Sequence, residues 1–200
     1  YYHITYFNPK LTHKSFREEF DNVQWNYDDD KLTKWKEGRT GYPIVDAGMR
    51  QLAEEGWMHN RVRMITAMFL TKDLLIDWRF GEEHFAKHLI DLDFSSNNGG
   101  WQWSASTGVD AQPYFRIFNP YLQSKKFDSD GSYIRQYVPE LKQVPGEYIH
   151  EPHLLSEESQ ASCNVRIGVD YPYPIIDHMK AKEEAVRRFS IAAGKTLNTK

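Results

Sequence analysis

The stretch Gly56–Trp103, GWMHNRVRMITAMFLTKDLLIDWRFGEEHFAKHLIDLDFSSNNGGWQW, decides how the chain is read. Met58, Val62, Ile65 and Phe69 recur at helical spacing and Leu74, Leu75 and Ile76 follow, so one side of a helix of several turns is built for burial. Its polar residues are of a less usual kind. Asn60 and Met64 lie four apart and share a face, with Arg61 and Arg63 on the flanking strips. An amide, a soft thioether and two guanidinium groups therefore occupy neighbouring strips of one helix. Beyond Trp78, Gly81 to Leu89 reads as another helix, with Phe85 and Leu89 four apart. His84 and His88 share a spacing that can ligate a metal, but no third ligand is near and hydrogen-bonded histidines are the ordinary reading, so no metal is expected. Asp91 to Gly100 holds two aspartates, two serines, two asparagines and two glycines, and is expected to be a tight turn rather than a regular element. A short helix is expected from Trp101 to about Gly108.

Composition bounds the rest. With 200 residues, 40% apolar and 14% aromatic, the default is one compact globular domain. The formal net charge of −3 excludes a bulk positive field, so any nucleic-acid contact needs a local basic patch. The single cysteine, Cys163, excludes an internal disulfide and fits a reducing compartment. No apolar run approaches the roughly 20 residues of a membrane helix. A soluble intracellular protein is expected, cytoplasmic in a bacterium and nuclear or mitochondrial in a eukaryote. The opening Tyr1-Tyr2-His3, without methionine or signal-like segment, is expected of a piece cut from a longer chain.

The other elements follow from their punctuation. Tyr1 to Phe7 reads as a helix end before Asn8-Pro9. Asp28 to Asp30 precede a short helix over Lys31–Glu37 stopped by Gly38, with acids early and lysines late. Tyr42-Pro43 opens a helix that buries Ile44, Gly48 and Leu52 and ends at Gly56. Pro113, Pro120 and the turn Asp128-Ser129-Asp130-Gly131 are expected to break the chain before a helix over Ser132–Val138. Pro145 to Pro174 reads mostly as loop, and a last helix spans about Asp177–Ala193. No β alternation and no repeat occur, so the expected class is all-α.

Phosphate-cradling glycine motifs, nucleophile elbows and cysteine clusters are absent. A cofactor site would therefore be built from helix faces and the Asp91 turn. Asp91, Asp93 and Asn97 offer acceptors and one amide close together, which suits a ring with imide and hydroxyl donors; calcium is the competing reading, although Phe94 and the lack of a later glutamate break that spacing. Tryptophans are commonly core residues, and six of them need no redox explanation by themselves.

Three runs, GWMHNRVRMITAMFLTKDLLIDWR, DLDFSSNNGGWQWSASTG and DAQPYFRIFNP, strongly resemble the flavin-binding helical domain of the photolyase and cryptochrome family. The motifs are most like those of photolyases that split cyclobutane pyrimidine dimers. The resemblance runs from Tyr1 to about Arg188, with a divergent patch near Ser156–Val165. It implies that residues 1–200 form the FAD- and DNA-binding helical domain of a longer monomeric protein. The α/β domain, with an antenna chromophore of unstated identity, would precede it. Asp91, Leu92 and Asp93 match flavin-contacting positions, Arg63 matches the arginine that pairs with Asp91, and Asn97 matches the residue facing the reactive ring nitrogen. Photolyases resemble one another in carrying asparagine there, where plant and animal cryptochromes tend to carry aspartate or cysteine. Trp101, Trp78 and Trp25 match an electron-transfer chain running from flavin to solvent. Asn60, Arg61, Met64 and Trp103 match positions that hold the damaged strand and its flipped lesion. Arg116, Lys125, Lys126 and Arg135 are candidate phosphate contacts, Arg116 and Lys126 the preferred ones, or ordinary surface residues. The activity implied is light-driven splitting of pyrimidine dimers in ultraviolet-damaged DNA by electron transfer from reduced FAD. The alternatives are a cryptochrome-type blue-light photoreceptor without repair and a flavin-free helical DNA-binding domain.

Overall fold

The computed structural model describes residues 1–194 of the chain. Among them lie the helices α1 (Tyr2–Phe7), α2 (Asp29–Lys36), α3 (Pro43–Glu55), α4 (Asn60–Met68), α5 (Trp78–His88), α6 (Phe94–Ala105), α7 (Pro120–Phe127), α8 (Ser132–Tyr137), α9 (Glu157–Ser162) and α10 (His178–Ala192). No strand forms among the described residues, only isolated bridges of Asn26 with Ile76 and Ile167 with Tyr171. The class is all-α. No helix among the described residues is long and apolar enough to cross a membrane.

Three expectations need correction. The long helix after Gly56 is not continuous: α4 ends at Met68 and Phe69–Asp73 widens into a π-turn, after which Leu75 takes a left-handed φ of 52°. The extra residue in the wide turn shifts Leu74–Ile76 out of the α-helical register. Asp91–Gly100 is not a turn throughout, because α6 begins at Phe94. Asp93 caps it by accepting from Ser96 N at 2.8 Å, and the amides that would compete for backbone are engaged elsewhere. Asn98 donates to Leu11 O at 3.0 Å and Gln102 Oε1 accepts from Phe16 N at 2.9 Å. Gly99 lies against Tyr1, where a Cβ would stand 2.3 Å from the ring, so glycine here serves close packing rather than a break. Finally, Pro120 opens a helix: it is the first residue of α7, with Asn119 accepting from Leu122 N at 3.1 Å.

The chain divides into two compact units. The first comprises Tyr1–Asp28, Ala67–Ile117 and the described residues from His178 onward. Phe20, Val23, Leu75, Ala185 and Phe189 form one of its apolar clusters, with Trp25 and Tyr114 packed against it. Lys72 is wholly buried there. Its Nζ donates to Ala105 O at 3.1 Å, at the C-terminal end of α6, and lies 3.3 Å from the Phe189 ring centre; desolvation pushes its pKa well down. Beside it in sequence, Asp73 meets His178 Nδ1 at 2.5 Å, and burial lifts the Asp73 pKa to about 6.

The second unit comprises Asp29–Thr66 and Phe118–Asp177. Helix α3 packs on α7 and α8 over a cluster that includes Ile134, Val138, Leu141, Ile149 and Tyr171. Asp46 is its polar node. It is fully buried and accepts from Thr40 N (2.7 Å), Thr40 Oγ1 (2.6 Å), Gly41 N (3.0 Å) and Tyr171 OH (2.6 Å). The loop before α3 and the segment at Tyr171 are thereby tied to one carboxyl group, whose pKa burial raises. Removing it leaves several buried donors unmet, at about 1–3 kcal/mol each before relaxation. Asp46→Ala should therefore lower unfolding stability by about 3 kcal/mol or more in urea titration. A loss below about 1 kcal/mol would show that water replaces the carboxyl and that the node is not structural.

Candidate functional site

Within the first unit, α6 places Trp101 against α5. Trp101 is buried with its ring over Gly81, where an added Cβ would stand 2.1 Å from Cη2. Phe85 meets the same ring edge-on, with centroids 4.9 Å apart. Trp78, Gly81 and Phe85 are three and four residues apart and therefore share the α5 face that receives Trp101. Trp78, fully buried, lies one turn from Gly81, about 5 Å along the axis. Its Nε1 has no hydrogen-bond partner among the described residues. Trp25 is only half-buried. Its neighbour Asn26 donates from backbone N to Leu75 O at 2.7 Å and from Nδ2 to Leu74 O at 2.9 Å, just before α5 begins. The segment that holds Trp25 is thus tied to the chain just before α5, and α5 packs on α6.

Asn97 shares the same helix pair. Its Nδ2 donates to Glu82 O at 3.1 Å. A carbonyl can only accept, so this bond assigns the amide nitrogen to that side and leaves Oδ1 as an acceptor directed elsewhere. Asp91, Leu92 and Asp93 are exposed in the irregular segment before α6. Hydrogen bonds to Ser96 hold Asp93 below the usual carboxylate range. Ile90, Leu92 and Phe94 are exposed at 81%, 44% and 46%, an apolar series interleaved with the two acids. Trp103, half-buried, lies two residues beyond Trp101 and so on a different side of α6; Arg116 is exposed in the segment before α7, next to exposed Phe115.

In the second unit, Asn60 Nδ2 and Met64 Sδ are 3.7 Å apart, as their spacing predicts. Arg63 turns back, its Nε donating to Met58 O at 2.6 Å. Arg61 lies over the Phe127 ring at 4.5 Å and near Phe118 at 5.8 Å, and Lys126 lies over Phe127 at 5.3 Å. The remaining candidate cations are engaged structurally. Lys125 pairs with Glu151 at 2.5 Å, and half-buried Arg135 donates to Val144 O at 2.8 Å and to Asp130 O. The His84 and His88 rings are tilted to each other with centroids 4.2 Å apart, His88 Nδ1 lying 2.8 Å from His84 O.

A helical unit with α5 packed on α6, an amide with an acceptor oxygen and two buried tryptophans suits a cofactor-binding protein. Comparison with known proteins specifies it. Residues 1–191 match the family model described as the FAD binding domain of DNA photolyase. A deoxyribodipyrimidine photo-lyase of Alkalihalophilus pseudofirmus is 58% identical over 93% of this chain and 39% of its own length. The crystal structure of a bacterial class III photolyase from Agrobacterium tumefaciens is 48% identical, with a TM-score of 0.94 over 97% of this chain and 40% of its own. A Synechocystis cryptochrome structure is 44% identical, with a TM-score of 0.80 over 83% and 34%. The chain spans about two fifths of the length of the curated relatives it matches. It belongs to the DNA photolyase FAD-binding family.

The residues present fit a flavin. Asn97 offers a carbonyl oxygen to a ring N–H, and the exposed Leu92 and Phe94 beside Asp91 and Asp93 give apolar surface with acceptors for hydroxyl and imide donors. Sequence reasoning missed the supports. Gly81, Glu82 and Phe85 position Trp101 and Asn97; a glycine inside an otherwise amphipathic helix was the available signal. Arg188 was also missed: its Nη1 donates to Gln24 O at 2.6 Å and Asn26 Oδ1 at 2.9 Å, on both sides of Trp25, while Phe189 meets the Trp25 ring edge-on at 5.8 Å. Nothing in a local window links residue 188 to residue 25.

Glu184 orients that arginine, bonding Arg187 Nε at 2.6 Å and Arg188 Nε at 2.7 Å. These bonds, Arg187 first, lower the Glu184 pKa from its ordinary value to about 2. A depressed carboxyl stabilises the fold above the ordinary pKa of about 4.5 and loses that contribution as pH falls toward 2. Thermal melts between pH 7 and 2 should show a loss below about pH 4.5 that Glu184→Gln lacks. Parallel acid limbs for the two proteins would show that the ion pairs contribute nothing.

Proposed function

We propose that the chain is the flavin- and lesion-binding domain of a light-driven lyase that splits cyclobutane pyrimidine dimers in ultraviolet-damaged DNA. The observation that carries this reading is the fixed amide of Asn97, because a carbonyl acceptor without titrating charge suits a reduced ring that presents an N–H. Reduced FAD, when bound, supplies the electron that blue light drives into the dimer, and the reaction has no net redox change.

The chain's own residues bind and position. Asp91, Leu92 and Asp93 hold the cofactor. Asn60 donates to the carbonyls of a flipped lesion, Met64 supplies an apolar wall and Trp103 a stacking surface. Arg61, Lys126 and Arg116 hold phosphates. Trp101, Trp78 and Trp25 pass an electron inward when the cofactor must be reduced. The buried Trp78 and Trp101 keep water from the inner part of that path, and half-buried Trp25 is its outer end.

A second reading, a blue-light photoreceptor without repair, is favoured by the similarity to the Synechocystis cryptochrome structure. The intact protein, reduced and mixed with an oligonucleotide bearing a thymine dimer, should remove the dimer under blue light and not in the dark. Asn60→Ala and Trp103→Ala should each weaken lesion binding by roughly 1–3 kcal/mol, read as the dissociation constant for damaged over undamaged duplex. Trp25→Phe should block photoreduction of oxidised flavin yet leave repair by chemically reduced protein unchanged. No dimer loss with flavin bound and reduced would overturn the lyase and leave the photoreceptor.

A further inference from the structure

The second unit contains a cleft of about 370 Å³, within the range of small-molecule pockets, of whose lining the proposed function uses only Arg61. Its walls are largely aromatic: Trp57, Phe127, Tyr133 and Tyr137. Its floor comes from α4. At 100° per residue, Val62 and Ile65 lie roughly 100–160° around that helix from Asn60 and Met64, and Arg61 falls between the two sides. The cleft is therefore separate from the Asn60–Met64 pair.

The polar groups of the cleft are of two kinds. Those inside it are already bonded. Tyr133 OH donates to Gln51 Oε1 at 2.7 Å, Tyr137 OH donates to Glu55 Oε1 at 2.6 Å, and Asp128 accepts from the backbone N of Tyr133 and Ile134 at 2.9 and 3.0 Å. Those at the rim are cations without carboxylate partners among the described residues. Arg61 and Lys126 both rest on the ring of Phe127, which attracts a cation without neutralising it. Trp57 and Phe127 remain 39% and 47% exposed. A cleft with flat apolar walls, satisfied inner polar groups and a cationic rim fits a planar ring attached to an anion.

We propose that this cleft takes one unstacked nucleobase of the bound DNA, separate from the lesion, with Arg61 and Lys126 holding the phosphate beside it. The inference rests on the DNA-binding reading above. Opening the duplex around a flipped lesion leaves neighbouring bases without full stacking partners, and an aromatic cleft restores a stacking surface whatever the base. Charge complementarity favours this occupant over an apolar protein segment, because two uncompensated cations on the rim call for anions.

The test uses the intact protein and a duplex with a single thymine dimer, with 2-aminopurine placed in turn at each position flanking or facing the lesion. Binding should unstack the reporter at one position outside the dimer. Trp57→Ala should abolish that signal and weaken affinity for the damaged duplex roughly tenfold, the loss of one base-aromatic stack, and Trp57→Phe should restore both. Dimer splitting per bound complex under blue light should be unchanged, because Trp57 does not belong to the Asn60–Met64 face. Damaged DNA bound equally by wild type and Trp57→Ala, with the same reporter signal at every position, would overturn the inference while leaving the lyase intact. That result would also follow if another part of the protein filled the cleft. Failure of the wild type to bind damaged DNA would overturn both.

Discussion

The ring of Trp101 occupies the space that a side chain at position 81 would need. A Cβ on Gly81 would stand 2.1 Å from the ring and 2.7 Å from Leu70, so α5 and α6 approach this closely only because residue 81 has no side chain. Much of the first unit follows from that approach. Asn97 lies one turn before Trp101 on α6 and Glu82 follows Gly81 on α5, so the contact that seats the tryptophan also brings the amide to the Glu82 carbonyl. One close packing contact therefore sets both the seat of Trp101 and the orientation of the amide.

Trp25 is held differently, beside irregular backbone. Leu75 adopts a left-handed conformation, which costs a non-glycine residue about 1–2 kcal/mol. Burial of its side chain and two hydrogen bonds from Asn26, to its own carbonyl and to that of Leu74, offset that cost. The π-turn before it and the left-handed residue together swing the chain from α4 into α5, so the segment that fixes Asn26 leads directly to Trp78. Arg188 completes the frame from α10. Strained backbone of this kind persists where the surroundings over-determine it, and here the over-determined residue lies beside Trp25.

The fold was legible wherever local punctuation and helical period agreed. Pro43 to Gly56, Lys31 to Gly38 and the last helix needed only caps, charge bias and apolar spacing. Legibility failed where a residue's local preference was overruled by a distant partner. Ser95 and Asn98 read as turn-formers, yet both spend polar atoms on Thr5 and Leu11, which no window around residue 98 contains, and Gln102 likewise accepts from Phe16 N. The candidate site shows the same division. Asn60 and Met64 could be paired by spacing alone. Neither Phe127 as the seat of Arg61 nor Arg188 as the clamp around Trp25 could be read, because both join residues far apart in sequence.

The chain carries 25 lysines and arginines against 28 aspartates and glutamates, so its surface chemistry depends on which cations escape pairing. Lys34, Lys87, Lys125 and Arg187 do not, since each has a carboxylate within hydrogen-bond distance. Arg61 and Lys126 are held on an aromatic face instead. A ring quadrupole fixes the position of a cation yet leaves its charge available to a third group, whereas a carboxylate fixes it by cancelling it. A protein with no net positive field can thus still present a defined cationic surface, provided that aromatic rings rather than acids do the positioning. Phe127 has that part here, which explains why so large an apolar side chain stays half exposed at the end of α7.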